Sequence, residues 1–380
     1  MAPVAIVAGY LAGNPVGGHV LSILHWLAGL RAMGYDVIFA EHHGWPDACW
    51  NPVTQTLSDD PAYGLGELQR HADAFGFRWC FVDARGDYHG LSRPEITSAC
   101  RNAAVMIGLW TVTWLEQFAE CKRRVFIDTD PGFTQFGMSP DVRASLAFAS
   151  PMDFHEHYSY GTRLGRPDCP IPTHGIEWRP LRPPVSLPLL PVRFTPEASC
   201  LTTVMKWSPR KPIVYDGEEY GQKDVEFWRI AALPKRVGTC LEIALGGAAP
   251  YDDIRAAGWR LADAAAVTAT PWTYRDYIAR SRGEFSVAVN LEVKTRSGWF
   301  SDRTAAYLAS GKPAVVQDTG FSADLPCGEG LFAFNTIDEA AAAIEDIERD
   351  YPRHCRAARH VAEQHLDATQ ILTRVLEGAG

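Results

Sequence analysis

The sequence predicts an α/β protein built from two Rossmann-like halves. Short apolar runs alternate with longer amphipathic runs along the chain. Runs such as VAIVAG at 4–9 are apolar at every position, the pattern of parallel strands covered on both faces. Nine prolines fall from Pro167 to Pro196, a density that reads as an extended connector, and the alternation starts afresh after them. With 380 residues the chain is long enough for two such domains.

The first half opens with a strand at 4–9. A helix at 19–34 follows, in which Val20, Ile23, Leu24, Leu27, Leu30 and Met33 recur at helical spacing and Gly34 ends the run. Strands are expected at 36–41, 104–109 and 124–128. After the prolines, strands are expected at 200–205, 239–245, 284–290, 313–318 and 330–334, with helices at 223–233, 302–310 and 337–350. A closing helix over roughly 352–376 ends the chain. Ligands of such sheets bind outside the carboxyl ends of the strands, so the site is expected in a cleft between two facing halves.

Hydrophobic content of 47%, charged content of 21% and a net charge of −9 describe a globular protein with no basic stripe, which argues against a nucleic-acid partner. Nine scattered cysteines, none in a Cys-x-x-Cys pair, suit reduced thiols and the cytoplasm. No apolar stretch approaches the length of a membrane span. His155 and His157, in DFHEHYSYG, lack the His-Glu-x-x-His spacing, and no metal is expected. Arginine far outnumbers lysine, which suggests a GC-rich bacterial genome.

The most informative stretch is KTRSGWFSDRTAAYLASGKPAVVQDTGF, Lys294 to Phe321. Ser297, Gly298 and Ser301 precede or cap a helix beginning near Asp302 and Arg303. A helix N-terminus offers unpaired N–H groups and about half a positive charge, and small residues before it let a phosphate approach. The bland alternative is a Ser301 cap and a Gly298 turn. The order small-Gly-x-x-Ser, helix, Gly-x-Pro, apolar strand and polar turn resembles the donor half of the GT-B glycosyltransferases over about 200–365. RSGWFS is also similar to a stretch of the lipid-II GlcNAc transferase. The resemblance implies that the helix start binds the diphosphate of a nucleotide sugar and that Gln317, Asp318, Thr319 and Gly320 face the sugar. The ribose-binding glutamate of those families is replaced by Ala306, with Asp302 or Glu284 as substitutes. Glu284 and Glu292 form a Glu-x7-Glu pair, but Glu292 precedes the phosphate loop, so the match reads as chance. Thr203, Lys206, Arg282 and Lys294 lie near expected strand ends and are further donor-site residues.

GYLAGNPVGGHVLSILHWLAGLRAMG gives a strand, a glycine-rich loop and a long helix. The glycines miss the dinucleotide spacing, and Glu41 alone is weak evidence for it. The loop at Gly17, Gly18 and His19 resembles that of the lipid-II GlcNAc transferase and of inverting natural-product glycosyltransferases. This implies donor contacts for the glycines and a base role for His19. Imidazole titrates in the right range to take a hydroxyl proton, and Asp128 or Asp130 could fix its tautomer. A helix cap or a contact to donor or backbone is the other reading of His19. Trp45, Trp50, Trp110 and Trp114 lie in loops that the resemblance turns towards the acceptor.

The sequence is therefore read as a GT-B fold. Residues 1–195 form an acceptor domain with a hinge at about 167–196, 196–355 a donor domain, and 356–380 a helix that packs back on the first domain. The expected function is transfer of a sugar from a nucleotide-diphospho-sugar to a hydroxyl acceptor, without metal or other cofactor and with inversion. A nucleotide-sugar 2-epimerase and a non-catalytic nucleotide- or sugar-binding protein are the alternatives. The acceptor's identity stays open, from antibiotic tailoring to glycan or spore-coat synthesis.

Overall fold

The structure is a computed structural model that describes residues 2–110, 114–138, 150–208 and 210–378. It divides into two compact units. Unit 1 comprises 1–161, 173–186 and 368–380, and unit 2 comprises 162–172 and 187–367.

Unit 1 contains β1 (Val4–Ala8), β2 (Asp36–His42), β3 (Cys49–Asn51), β4 (Thr56–Ser58), β5 (Arg78–Val82), β6 (Tyr88–Gly90), β7 (Ala103–Leu109), β8 (Arg124–Asp128), β9 (Glu156–Ser159) and β10 (Trp178–Pro180). Its eight-stranded sheet runs β10-β9-β8-β7-β1-β2-β5-β6, and all pairs are parallel except β5 with β6. Central β1 buries Ala5, Ile6 and Val7 completely, which is why its sequence shows no polar face. The Gly17–Ala32 helix covers the sheet, with Ile23, Leu24, Leu27 and Leu30 in the core.

Unit 2 contains β11 (Cys200–Lys206), β12 (Ile213–Tyr215), β13 (Glu218–Tyr220), β14 (Cys240–Gly246), β15 (Arg260–Asp263), β16 (Gly283–Ser286), β17 (Ala314–Gln317) and β18 (Leu331–Phe334). Its six-stranded sheet, β15-β14-β11-β16-β17-β18, is parallel throughout. Every carboxyl end therefore lies along one edge.

Several expectations are corrected. The proline-rich stretch is not one connector: Trp178–Pro180 is the edge strand β10, where a proline removes no ladder bond. Thr162–Pro172 belongs to unit 2. The closing helix is two, Tyr351–His365 and Ala368–Glu377, and the second begins where the chain re-enters unit 1, with the Ala368 N–H bonded to the Val185 carbonyl. The strand expected at 284–290 ends at Ser286, and Asn290–Thr295 is a short helix carrying Glu292. Cys200 and Cys240 are in register on β11 and β14 and form a disulfide, whereas the other seven cysteines are thiols.

Gly64, in the Ala62–Phe75 helix, sets how closely that helix approaches the glycine-rich loop. A Cβ there would lie 1.9 Å from the Ala12 carbonyl oxygen, while one on Gly66 meets nothing within 4 Å. Gly64→Ala is expected to cost roughly 2–3 kcal/mol by overpacking. Gly66→Ala should instead stabilise by about 0.5–1 kcal/mol through helix propensity. Urea unfolding of the two variants checks both signs.

Candidate active site

In unit 2 the polar residues gather around the start of the Asp302–Ala309 helix. Ser301 caps the Asp302–Ala309 helix, its hydroxyl accepting from the Arg303 N–H at 3.2 Å. Asp302 Oδ1 accepts from the same N–H at 2.9 Å. The Arg303 side chain turns inward: Nε donates to Glu284 Oε1 at 2.6 Å and Nη1 to the Val204 carbonyl at 2.8 Å. This buried pair joins the helix to β16 and β11. Lys223, opening the Lys223–Ile230 helix, lies in the same electrostatic neighbourhood. Burial, then the charge of Arg303, lowers its pKa to about 8, against the opposing pull of Glu292, Glu284 and Asp302. Glu284 Oε2 is buried there without a hydrogen-bond partner; Thr203 Oγ1 is also unpartnered, but on the face of β11 opposite to Thr202, which is in register with Glu284 and bonds Tyr307.

Several other expected donor residues have structural work instead. Ser297 is fully buried, its carbonyl accepting from Arg163 N–H and its hydroxyl from Trp299 N–H. Gly298 has φ +77°, and a Cβ on it would lie 2.5 Å from Thr162 Oγ1. Its bare face admits the protein's own Thr162–Arg163 segment, not the phosphate that the sequence suggested. Thr319 Oγ1 donates to the Trp299 carbonyl at 2.6 Å, and Asp318 accepts from Gly320 N–H and from Ser322. Gly320, with φ +98°, packs against Arg163. The two polar turns are thus knitted together. Lys294 is engaged by Glu218 at 2.9 Å and by the Glu219 carbonyl. Arg282 precedes β16, at the amino end of the sheet, where it pairs with Glu348 at 2.6 Å and lies over the Tyr351 ring. It is removed from the donor set. Lys206 is exposed at the carboxyl end of β11.

In unit 1, Gly17 and Gly18 begin the long helix and His19 lies in its first turn. His19 Nε2 bonds to the Tyr10 carbonyl, and its ring stacks on Trp110 with centroids 4.6 Å apart. A carbonyl only accepts, so Nε2 carries the proton and Nδ1 the lone pair of the neutral ring. The orienting group is thus a backbone carbonyl. Asp128, expected in that role, is fully buried in its own loop, accepting from Thr134, Gln135, Ser159 and the Asp130 N–H. Burial raises its pKa although the three side-chain bonds lower it.

His19, Tyr10, Trp45 and Trp50 line a cavity of about 320 Å³ with Glu41 at one wall. Trp110 is not among the described lining residues but stacks on His19, whereas Trp114 packs edge-on against Phe118 and Phe154. Sequence reasoning undervalued Glu41 and missed Lys223. Glu41 accepts from the N–H groups of Leu11, Ala12 and Gly13 at 2.8, 2.7 and 2.6 Å and so shapes the glycine-rich loop. The usable signal was an acid at the end of the strand beside β1. For Lys223, it was a lysine opening a helix just after a hairpin. Among the described residues no group of three His, Cys, Asp or Glu side chains could hold a metal.

Two units, one built on a largely parallel and one on a wholly parallel sheet, have the two-sheet α/β architecture of the GT-B fold that the sequence implied. Solved structures similar over the whole chain include an alpha-glucosyltransferase in complex with UDP and a 13-mer DNA containing an HMU base, with a TM-score of 0.59, 9% identity and 99% of each chain covered. Anabaena HepE in complex with UDP-glucose follows at 0.57, with 11% identity and 98% of each chain. A glycosyltransferase from Rickettsia africae matches at 0.52, with 9% identity over 99% of this chain and 97% of that one. At these identities the likeness is one of fold. No protein-family model matches the sequence, and no curated protein does.

Burial raises the Glu41 pKa from 4.5 to about 7, the three backbone N–H bonds opposing it. A carboxyl group with a raised folded-state pKa stabilises most below its unfolded value, and that contribution is lost as pH rises through the folded value. The window is therefore pH 4.5 to about 7. The full shift corresponds to roughly 3 kcal/mol. The melting temperature of the natural protein should rise relative to Glu41→Gln as pH falls from 8 to 5. A difference independent of pH would refute the assignment.

Proposed function

We propose that the chain is a glycosyltransferase that moves a sugar from a nucleotide-diphospho-sugar to a hydroxyl acceptor. The observation that carries this reading is the Lys223, Arg303, Glu284 and Asp302 cluster at the capped helix start, packed on a parallel sheet. The neighbours lend support: the alpha-glucosyltransferase holds UDP and HepE holds UDP-glucose. Unit 2 would bind the donor. Lys223 and Lys206 would face the diphosphate with the helix N–H groups, Thr203 and Ser301 would supply hydroxyls, and Asp302 would take the ribose. Such fixed positive charge stabilises a departing diphosphate without a metal ion.

Unit 1 would bind the acceptor, with Gly17, Gly18 and Trp110 forming the surround of His19. In the reaction the acceptor hydroxyl gives its proton to His19 Nδ1 as its oxygen bonds to the anomeric carbon. The bond from that carbon to the diphosphate oxygen breaks, and the nucleoside diphosphate leaves with the electron pair. Direct attack of this kind inverts the anomeric centre. Asp130, in the loop that Asp128 organises, is a second candidate for stabilising the imidazolium. The partners are small molecules. The DNA in one neighbour's complex is a property of that neighbour, and a net charge of −9 argues against nucleic acid here. Seven thiols among nine cysteines favour a cytoplasmic setting.

Thermal shift with UDP, GDP, TDP, ADP and CDP tests donor binding. A nucleotide at about 100 times its Kd adds about 2.7 kcal/mol to the folded state. One base should stabilise the protein with EDTA present, and Lys223→Met should weaken its binding by about tenfold or more, ~1.4 kcal/mol. No shift with any nucleotide at millimolar concentration would count against the donor site. The product linkage, read by NMR, tests the base: His19→Ala should lose turnover while keeping nucleotide binding, and a retained anomer would remove His19 from that role.

A further inference from the structure

The cavity beside His19 has a chemical bias that the transfer reading does not by itself specify. Its walls are mainly apolar and aromatic, with Tyr10, Trp45, Trp50, Leu57 and Phe81 contributing side chains. Trp45 is 40% exposed and meets the Tyr10 ring in a T-shaped contact at 5.5 Å. The volume of about 320 Å³ lies at the small end of ligand pockets. The ionisable groups on the wall are histidines, a cysteine, a tyrosine and the acids Glu41 and Asp47, with no lysine or arginine among the described lining residues. Glu41 directs its oxygens into the three loop N–H groups, so those donors are turned away from a ligand.

An anionic ligand would lose its water here without gaining a cation, which is strongly unfavourable. A ligand bristling with hydroxyls would leave many of them unsatisfied against aromatic walls. A flat ring with one or two hydroxyls can stack on the aromatic faces and present a proton to His19. Resting on the proposed transfer function, we infer that the acceptor is an uncharged hydroxylated ring compound, a phenol or ring alcohol with apolar faces. Acceptors bearing phosphate or carboxylate are disfavoured, because no lysine or arginine stands among the described lining residues to offset the water they would lose.

The test needs no donor, so its outcome is separable from that of the transfer reading. Binding of 2-naphthol, 2-naphthyl phosphate and 6-hydroxy-2-naphthoate to the full chain is measured by calorimetry and saturation-transfer NMR. The neutral compound should bind at least tenfold more tightly than either anion. Trp45→Ala should weaken naphthol at least fivefold, with Trp45→Phe restoring most of the loss. Asp47 has φ +56°, which asparagine tolerates, so Asp47→Asn should keep the fold and narrow the preference for neutral over phosphate. Equal or tighter binding of the phosphate ester, or naphthol binding unaffected by Trp45→Ala, would overturn the inference. If naphthol binds as expected and no nucleotide does, the transfer reading fails and the cavity assignment stands.

Discussion

A carboxylate removed from water holds the key loop in each unit. In unit 2 Glu284 has no exposed surface, and its bond to Arg303 fixes the helix that Ser301 caps, with β11 drawn in through the Val204 carbonyl. In unit 1 Glu41 collects three successive backbone N–H groups and thereby shapes the loop that carries Tyr10 towards His19. A buried charge is costly unless it is paired, so the bonds each acid does make favour one conformation of the segment it holds. The chemistry proposed for each unit depends on that conformation, because neither the helix start nor the imidazole is oriented by its own sequence neighbours alone.

The two acids also explain how positive charge is arranged. Arg303 looks in sequence like a residue for a phosphate, but its guanidinium is directed inward and neutralises Glu284. The cation left nearer the surface of the cluster is Lys223, whose ammonium is partly desolvated by burial and crowded by Arg303. An anion arriving beside it would relieve both penalties. A buried pair holding the scaffold and a less comfortable cation beside it is a division of labour that residue types alone do not reveal.

Much of the fold was legible because parallel sheets announce themselves. VAIVAG, AVMIGL and the VFI of RVFID are apolar without alternation, and all fell in largely buried strands. The Ser301 cap and the start of the helix at Asp302 were legible from local chemistry. What failed needed information from distant segments. Gly298 and Gly320 suit an approaching phosphate equally well in sequence, and only the fold brings Thr162 and Arg163 against them. Arg282 lies near a strand end as expected, but at the amino end. The β12–β13 hairpin was readable and overlooked: Asp216-Gly217 takes positive φ at both positions, as a two-residue hairpin turn requires. Trp178–Pro180 was hidden by its prolines, which only an edge strand accommodates.

The chain passes between units after Gly161, Pro172, Ser186 and Asp367. The first of these excursions carries Thr162 and Arg163, the residues that fill the bare faces of Gly298 and Gly320. The units are therefore not modules in the sense of beads on a string. Severing the chain within the proline-rich stretch would strip unit 2 of the segment that supports its own polar turns and unit 1 of the helix at its carboxyl terminus. A chimaera that exchanges one half for that of a relative would have to transplant discontinuous pieces, or redesign the cover over both glycines. Recombination at a single crossover, which readily shuffles domains joined by one linker, has no suitable breakpoint in this protein.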